Sequence, residues 1–286
     1  MPASHTTTSA QLIGKSDPMH ELFKMIGRVC STDCAVLLIG EKGVGKSLVA
    51  RAIHQYSRHF QSPFRTLSGR QLRESSDEEL LGIDDSHQAD GTCYITDFIA
   101  MPDYVQHRLV SIRQNGEYKC VHTGTARNHN LRFIVATQGD IKEAIESGHM
   151  PVDLFYDWNF LTLYVPPLRD RKEDIPLLAN HFLEISAAEL RVSRRDLSPE
   201  AMELLLSHDW PGNVTELKSC MRKALECCRG NYIRAEHLPE LKTGANSEAL
   251  TMLEMFLSSR LSTYIENAPA HLKGNLFRLL LPEMEQ

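Results

Sequence analysis

The apolar run of residues 35–39 passes directly into Gly40-Glu41-Lys42-Gly43-Val44-Gly45-Lys46-Ser47, and a helical apolar period resumes at once through Leu48, Val49 and Ile53. Strand, glycine loop and helix in that order constrain the fold more than anything else in the chain. The pattern GxxxxGK[ST] belongs at the turn from a buried parallel strand into a helix. There the glycines let the backbone wrap a phosphate, the lysine reaches the β and γ phosphates, and the serine hydroxyl is available to magnesium. A merely flexible Gly/Lys turn would leave both flanking elements unexplained. The loop therefore nominates Gly40, Glu41, Lys42, Gly43, Val44, Gly45, Lys46, Ser47 and the next residue, Leu48, as nucleotide contacts, with Ser47 also a candidate magnesium ligand.

Around this unit the pattern alternates. Residues 19–29 carry helical spacing (Leu22, Phe23, Ile26, Val29), and strands are expected at 92–95, 131–136 and 160–165, the last before the stop Pro166-Pro167. Strands separated by helical stretches imply an α/β sandwich with a parallel sheet. After Arg171 the pattern is purely helical, at 175–190, 198–207 and 212–228, with Ser198-Pro199-Glu200 as a helix-start signal. The expected organisation is a disordered polar start (1–10), a core (11–168), a small all-helical subdomain (169–240), and a linker with a C-terminal helical segment (241–286) that opens on Thr243-Gly244-Ala245-Asn246-Ser247.

With 286 residues, 42% hydrophobic and 24% charged, the chain can bury one large core and a smaller one. It has no long apolar span and no leader-like start, so a cytoplasmic protein with no membrane partner is expected. The seven cysteines lack CxxC spacing and read as reduced, mostly core-filling thiols. A net charge of −6 argues against broad attachment to nucleic acid. The thirteen histidines form neither HxxxH nor HxxH, so surface or core roles are expected of them. The charge run Arg169-Asp170-Arg171-Lys172-Glu173-Asp174 reads as a solvated helix start, and Arg194-Arg195 as surface.

Several segments in order resemble the central domain of the sigma-54-dependent enhancer-binding activators of the NtrC type. They are LIGKSDPMHELFKMIGRV (12–29), LLIGEKGVGKSLVARAIHQYS (37–57), ADGTCYITD (89–97), PPLRDRKEDIPLLANHFL (166–183) and WPGNVTEL (210–217). The resemblance implies an AAA+ P-loop αβα sandwich with a parallel sheet, followed by a helical lid. It also implies ATP or ADP between core and lid with magnesium, Leu12 and Ile13 near the adenine, self-association, and RNA polymerase or another transcription regulator as partner.

This chain departs from the family pattern at the positions that handle the γ-phosphate. The loop sequence GAFTGA, which contacts sigma-54 in that family, is missing, since Glu79-Leu80-Leu81-Gly82 is followed only by residues 83–88 before Ala89-Asp90-Gly91. The family's Asp-Glu pair aligns with Thr96 and Asp97, so Asp97 is left as the degenerate catalytic carboxylate, or by a one-residue slip as the magnesium ligand. The sensor position is Gln138, the trans-acting arginines align with Pro151 and Asp157, and the lid arginine aligns with Thr215. The segment 276–286, ending LLLPEMEQ, resembles the approach to a helix-turn-helix that is not present in the chain, so DNA contact is expected only through such a module.

The resulting expectation is a nucleotide-binding transcription-regulatory module with little or no ATPase and no sigma-54 remodelling. Two alternatives stand beside it: an active AAA+ ATPase that remodels another partner, and a module sensing another phosphate ligand such as a cyclic dinucleotide.

Overall fold

The structure is a computed structural model that describes residues 12–72, 76–81, 83, 89–120, 124–139, 141–147 and 150–238. The expectations for 1–10 and 241–286 lie outside the described residues.

The chain opens with α1 (Asp17–Cys30), β1 (Val36–Ile39) and α2 (Lys46–Gln55). It continues through β2 (Phe64–Ser68), α3 (Asp77–Leu81), β3 (Asp90–Thr96), α4 (Asp103–Asn115), and a short hairpin of β4 (Glu117–Lys119) and β5 (Ala126–Asn128). Then come β6 (Asn130–Thr137), α5 (Ile141–Glu146), α6 (Val152–Trp158) and β7 (Leu161–Tyr164). The five long strands form one parallel sheet in the order β2-β3-β6-β1-β7, with Val36 level with Ile134 on one side and Leu161 on the other.

Successive strand residues point to opposite faces, so each central strand feeds two cores. Val36 and Leu38 pack with Ile134 and Ala136 against α1 and α2, through Leu22, Ile26, Val49 and Ile53. Leu37, Ile95, Phe133 and Val135 pack on the other face against α4 and α6, through Leu109, Leu154 and Trp158. This is the expected α/β sandwich. Strands buried on both faces read as continuous apolar runs, which is why β1, β3 and β6 stand where the sequence indicates.

The remainder comprises α7 (Ile175–Leu190), α8 (Pro199–Ser207) and α9 (Asn213–Cys227). Ser198 caps α8 as expected, its hydroxyl accepting the Ala201 amide at 3.2 Å. Trp210 is fully buried and donates its indole N–H to the Leu205 carbonyl at 2.9 Å, which anchors the turn before α9. One detail corrects the expectation of a purely helical subdomain. A two-residue parallel pair, β8 (Asp196–Leu197) with β9 (Tyr232–Ile233), ties its ends together. Arg194 is exposed as expected, and the half-buried Arg195 donates to the Leu225 carbonyl at 2.9 Å and also to that of Cys228, so it caps the last turn of α9.

Among the cysteines, Cys93, Cys120, Cys220 and Cys228 are buried as expected of core-filling thiols, whereas Cys34 and Cys227 are exposed. Among the described residues, no helix is long and apolar enough to cross a membrane.

Candidate phosphate-binding site

The glycine loop leaves β1 and turns into α2 with Gly43 at φ 81° and Gly45 at φ 104°, a region that favours glycine. At Gly43 the requirement is spatial as well, because a Cβ there would lie 2.2 Å from the Gly212 carbonyl oxygen at the start of α9. Lys46 opens α2, and its ammonium donates to the Gly40 and Glu41 carbonyls at 2.6 and 2.8 Å. Partial burial lowers the lysine pKa, while the carboxylates of Asp97 and Glu41 pull it back up. Ser47 is exposed beside it, and the Leu48 and Val49 amides already donate to the Gly45 carbonyl.

The loop is held from behind by residues far away in sequence. Arg169 makes a paired contact with Glu41, Nη1 to Oε2 at 2.9 Å and Nη2 to Oε1 at 2.5 Å. Those bonds, with one from Asn213, hold the Glu41 carboxyl below its ordinary pKa. Asn213 is fully buried at φ 53°, where its amide donates to Glu41 Oε2 and to the Lys42 carbonyl, both at 3.0 Å. Its side-chain oxygen accepts the Leu168 amide at 2.8 Å. The Thr215 amide donates to the Gly43 carbonyl at 3.2 Å, so the residue aligned with the family's lid arginine sits directly over the loop.

The expectation of a solvated helix start at 169–174 is wrong for two of its residues. Arg171 is 4% exposed and donates to the Val44 carbonyl and the Met19 sulfur, each at 2.9 Å. Burial lowers its pKa, and Asp174 opposes that shift. Asp174 has no exposed surface and accepts the Lys15 amide at 2.6 Å. A charge run is solvated by default only when nothing packs over it; here the N-terminal strap and the glycine loop both do.

That strap, Leu12-Ile13-Gly14, forms one wall of a groove of about 410 Å³ whose other wall is α7, through Leu177, His181 and Glu184. The expected base-binding residues Leu12 and Ile13 thus face a cavity with apolar sides and polar groups on one helix. Sequence reading missed the α7 wall. Its signal was present as Asn180, His181 and Glu184, polar positions on a largely apolar helix.

At the carboxyl ends of the neighbouring strands stand Thr96, Asp97 and Gln138. Asp97 adopts φ 52° after β3, and the Gln138 amide lies 3.4 Å from its Oδ1. Pro151 and Asp157 stand at the two ends of α6, on the sheet face opposite α2, and the Asp157 carbonyl accepts from Arg113 at 2.9 Å. The structure brings Lys46, Asp97 and Gln138 to one edge of the sheet and leaves those two elsewhere. Among the described residues, no three His, Cys, Asp or Glu side chains converge as a metal cage. A magnesium ion carried in with a nucleotide is held largely by phosphate oxygens and water and asks for only one or two protein ligands.

The model of the sigma-54 interaction domain family matches residues 12–164, and that of the AAA+ ATPase lid domain matches 169–252. Among curated proteins the chain is 32% identical over 301 residues to the DNA-binding transcriptional regulator NtrC of Rhizobium meliloti (strain 1021), covering 96% of this chain and 62% of that one. It is 34% identical over 249 residues to the transcriptional regulatory protein ZraR of Escherichia coli (strain K12), covering 82% and 56%. The chain thus spans less than two thirds of the length of these relatives. A crystal structure of NtrX from Brucella abortus in complex with ATP superposes with a TM-score of 0.71 at 27% identity, over 80% of this chain and 54% of that one.

Proposed function

The chain belongs to the sigma-54 interaction domain family, and on that premise we propose that it is a cytoplasmic transcription-regulatory module that binds ATP or ADP, with little or no ATPase activity and no sigma-54 remodelling of its own. The observation that carries the binding half is the glycine loop backed by Asn213 and Arg169, with the groove of Leu12 and Ile13 alongside. The main chain of residues 43–47 and the Lys46 ammonium take the phosphates, and the groove takes the base. Ser47 and Asp97 would hold magnesium, which when bound neutralises phosphate charge.

The catalytic half rests on Thr96, Asp97, Pro151, Asp157 and Thr215. Thr96 brings no charge to a metal, Asp97 is one methylene shorter than the family's glutamate, and neither Pro151 nor Asp157 offers a cation. Losing a positioned base forfeits about 100- to 10,000-fold, and losing an arginine finger about 1,000- to 100,000-fold. Without a GAFTGA loop, hydrolysis would have no route to sigma-54. The module instead signals by nucleotide-dependent self-association and contact with RNA polymerase or another regulator.

The test is twofold. Titration calorimetry with ATP and ADP should show binding, and phosphate release at saturating ATP and magnesium should stay near background across concentrations that permit assembly. Turnover of about one per second, abolished by Lys46→Ala, would overturn the catalytic half and make the chain a working ATPase.

A further inference from the structure

A second cation stands at the edge of this site. We propose that Arg70 reads the γ-phosphate and so sets a preference for ATP over ADP; the inference rests on the nucleotide reading above and names the residue that separates its two ligands.

In an open parallel sheet, ligands lie outside the carboxyl ends of the strands. β1 ends in the glycine loop, β6 ends before Gln138, β3 before Asp97, and β2 before Gly69-Arg70. The register makes Ser68 level with Thr96 and Ile39 level with Thr137, so these four exits form one rim. The turn after β2 is clamped to that rim. The Gly69 amide donates to the Thr96 carbonyl at 2.8 Å, and a Cβ at residue 69 would lie 2.7 Å from the Asp97 carbonyl oxygen. No bulkier residue lets the backbone bearing Arg70 come so close to Asp97.

Arg70 Nε lies 3.7 Å from Asp97 Oδ1, the oxygen that Gln138 also approaches. The same carboxylate also raises the Lys46 pKa, opposing the effect of burial there. Asp97 thus shares the strand-end rim with the glycine loop, which carries the lysine expected to hold the β and γ phosphates, and has the Arg70 guanidinium beside it. The Arg70 side chain is 70% exposed, and such an open ion pair is weak, so releasing Asp97 costs little. A terminal phosphoryl group offers what the carboxylate cannot: a fuller negative charge and three acceptor oxygens suited to a planar fork. ADP has no group in that place, so only the triphosphate gains from the exchange. Nothing in the sequence singles out Arg70, because its partner Asp97 follows a different strand, 27 residues on.

The experiment is calorimetric titration of the full chain, as wild type, Arg70→Ala and Arg70→Lys, with ATP, its non-hydrolysable β,γ-imido analogue, and ADP. Arg70→Ala should weaken both triphosphates about tenfold, as for a lost charge-assisted contact, and move ADP by less than about twofold. Arg70→Lys should recover part of the loss, because it restores charge without the fork. Unchanged ADP affinity doubles as proof that the variant is folded. Equal losses for ATP and ADP, or no loss for either, overturn the role of Arg70 while leaving nucleotide binding intact. Failure of the wild type to bind any of the three overturns the nucleotide reading and the inference with it.

Discussion

Asp174 grips Ser16 twice: its Oδ1 accepts the Ser16 amide at 2.9 Å and its Oδ2 the Ser16 hydroxyl at 2.7 Å, across 158 residues of sequence. Removing that carboxylate strands three donors under the strap. Asp174→Ala should lower unfolding free energy by about 2–4 kcal/mol, as expected when buried partners go unsatisfied. Nucleotide affinity should fall with it, since the strap forms one wall of the base groove. A denaturant midpoint matching wild type would show that the strap is held by other contacts.

Asn213 combines a buried hub with a left-handed backbone, and two substitutions separate these contributions. Asn213→Gly keeps the backbone comfortable and loses the bonds to Glu41, Lys42 and Leu168, whereas Asn213→Ala also carries strain. Both should be destabilised, with alanine worse than glycine by about 1 kcal/mol. Equal denaturation curves for the two variants would refute a strained position.

Acid should loosen the attachment of the loop to Arg169. The Glu41 carboxyl is held below its ordinary pKa by Arg169 first and Asn213 second. A depressed folded-state pKa means that the stabilisation is fully present above the unfolded glutamate value, about 4.3, and is lost as pH falls through the folded one. Glu216 acts with the same sign: burial raises its pKa, but bonds from His208 and the Gly212 amide outweigh it and leave it lowered. Unfolding followed from pH 7 downward should show an acid limb that is shallower in Glu41→Gln. An identical limb would mean that the pair contributes nothing.

Restoring one part of the catalytic pattern should achieve little. Thr96→Asp combined with Asp97→Glu returns both carboxylates, yet Pro151, Asp157 and Thr215 still bring no cation to the γ-phosphate. Phosphate release should stay within about tenfold of wild type, while Lys46→Ala weakens nucleotide binding about tenfold or more. A larger recovery of turnover would mean that the carboxylates alone limit the chemistry.

The elements legible in the sequence were those with an uninterrupted period: α1, β1, α2, β3, β6, β7 and the three helices after residue 174. β2 escaped notice because it is an edge strand whose Phe64-Arg65-Thr66-Leu67-Ser68 has no fully buried position, so neither alternation nor a continuous run marks it. In α4 a buried glutamine, Gln106, interrupts the apolar stripe by donating to the Met101 carbonyl at 2.9 Å. The loop itself was plain, because its chemistry is local. Its supports were not, because Arg169, Arg171 and Asn213 reach it from more than a hundred residues away. Asn213 lies within the quoted segment WPGNVTEL, but a motif match does not say which of its residues turns inward.

The guanidinium of Arg171, lodged between the Val44 carbonyl and the Met19 sulfur, bears on how the chain comes apart. The family models divide the sequence between residues 164 and 169, which would make that junction a natural place to cut. A fragment ending there would keep the glycine loop but lose both Arg171 and Asp174, leaving the Val44 carbonyl without its guanidinium and the Lys15 and Ser16 amides without their carboxylate. The boundary is therefore one of sequence bookkeeping, and the two halves should melt in a single step.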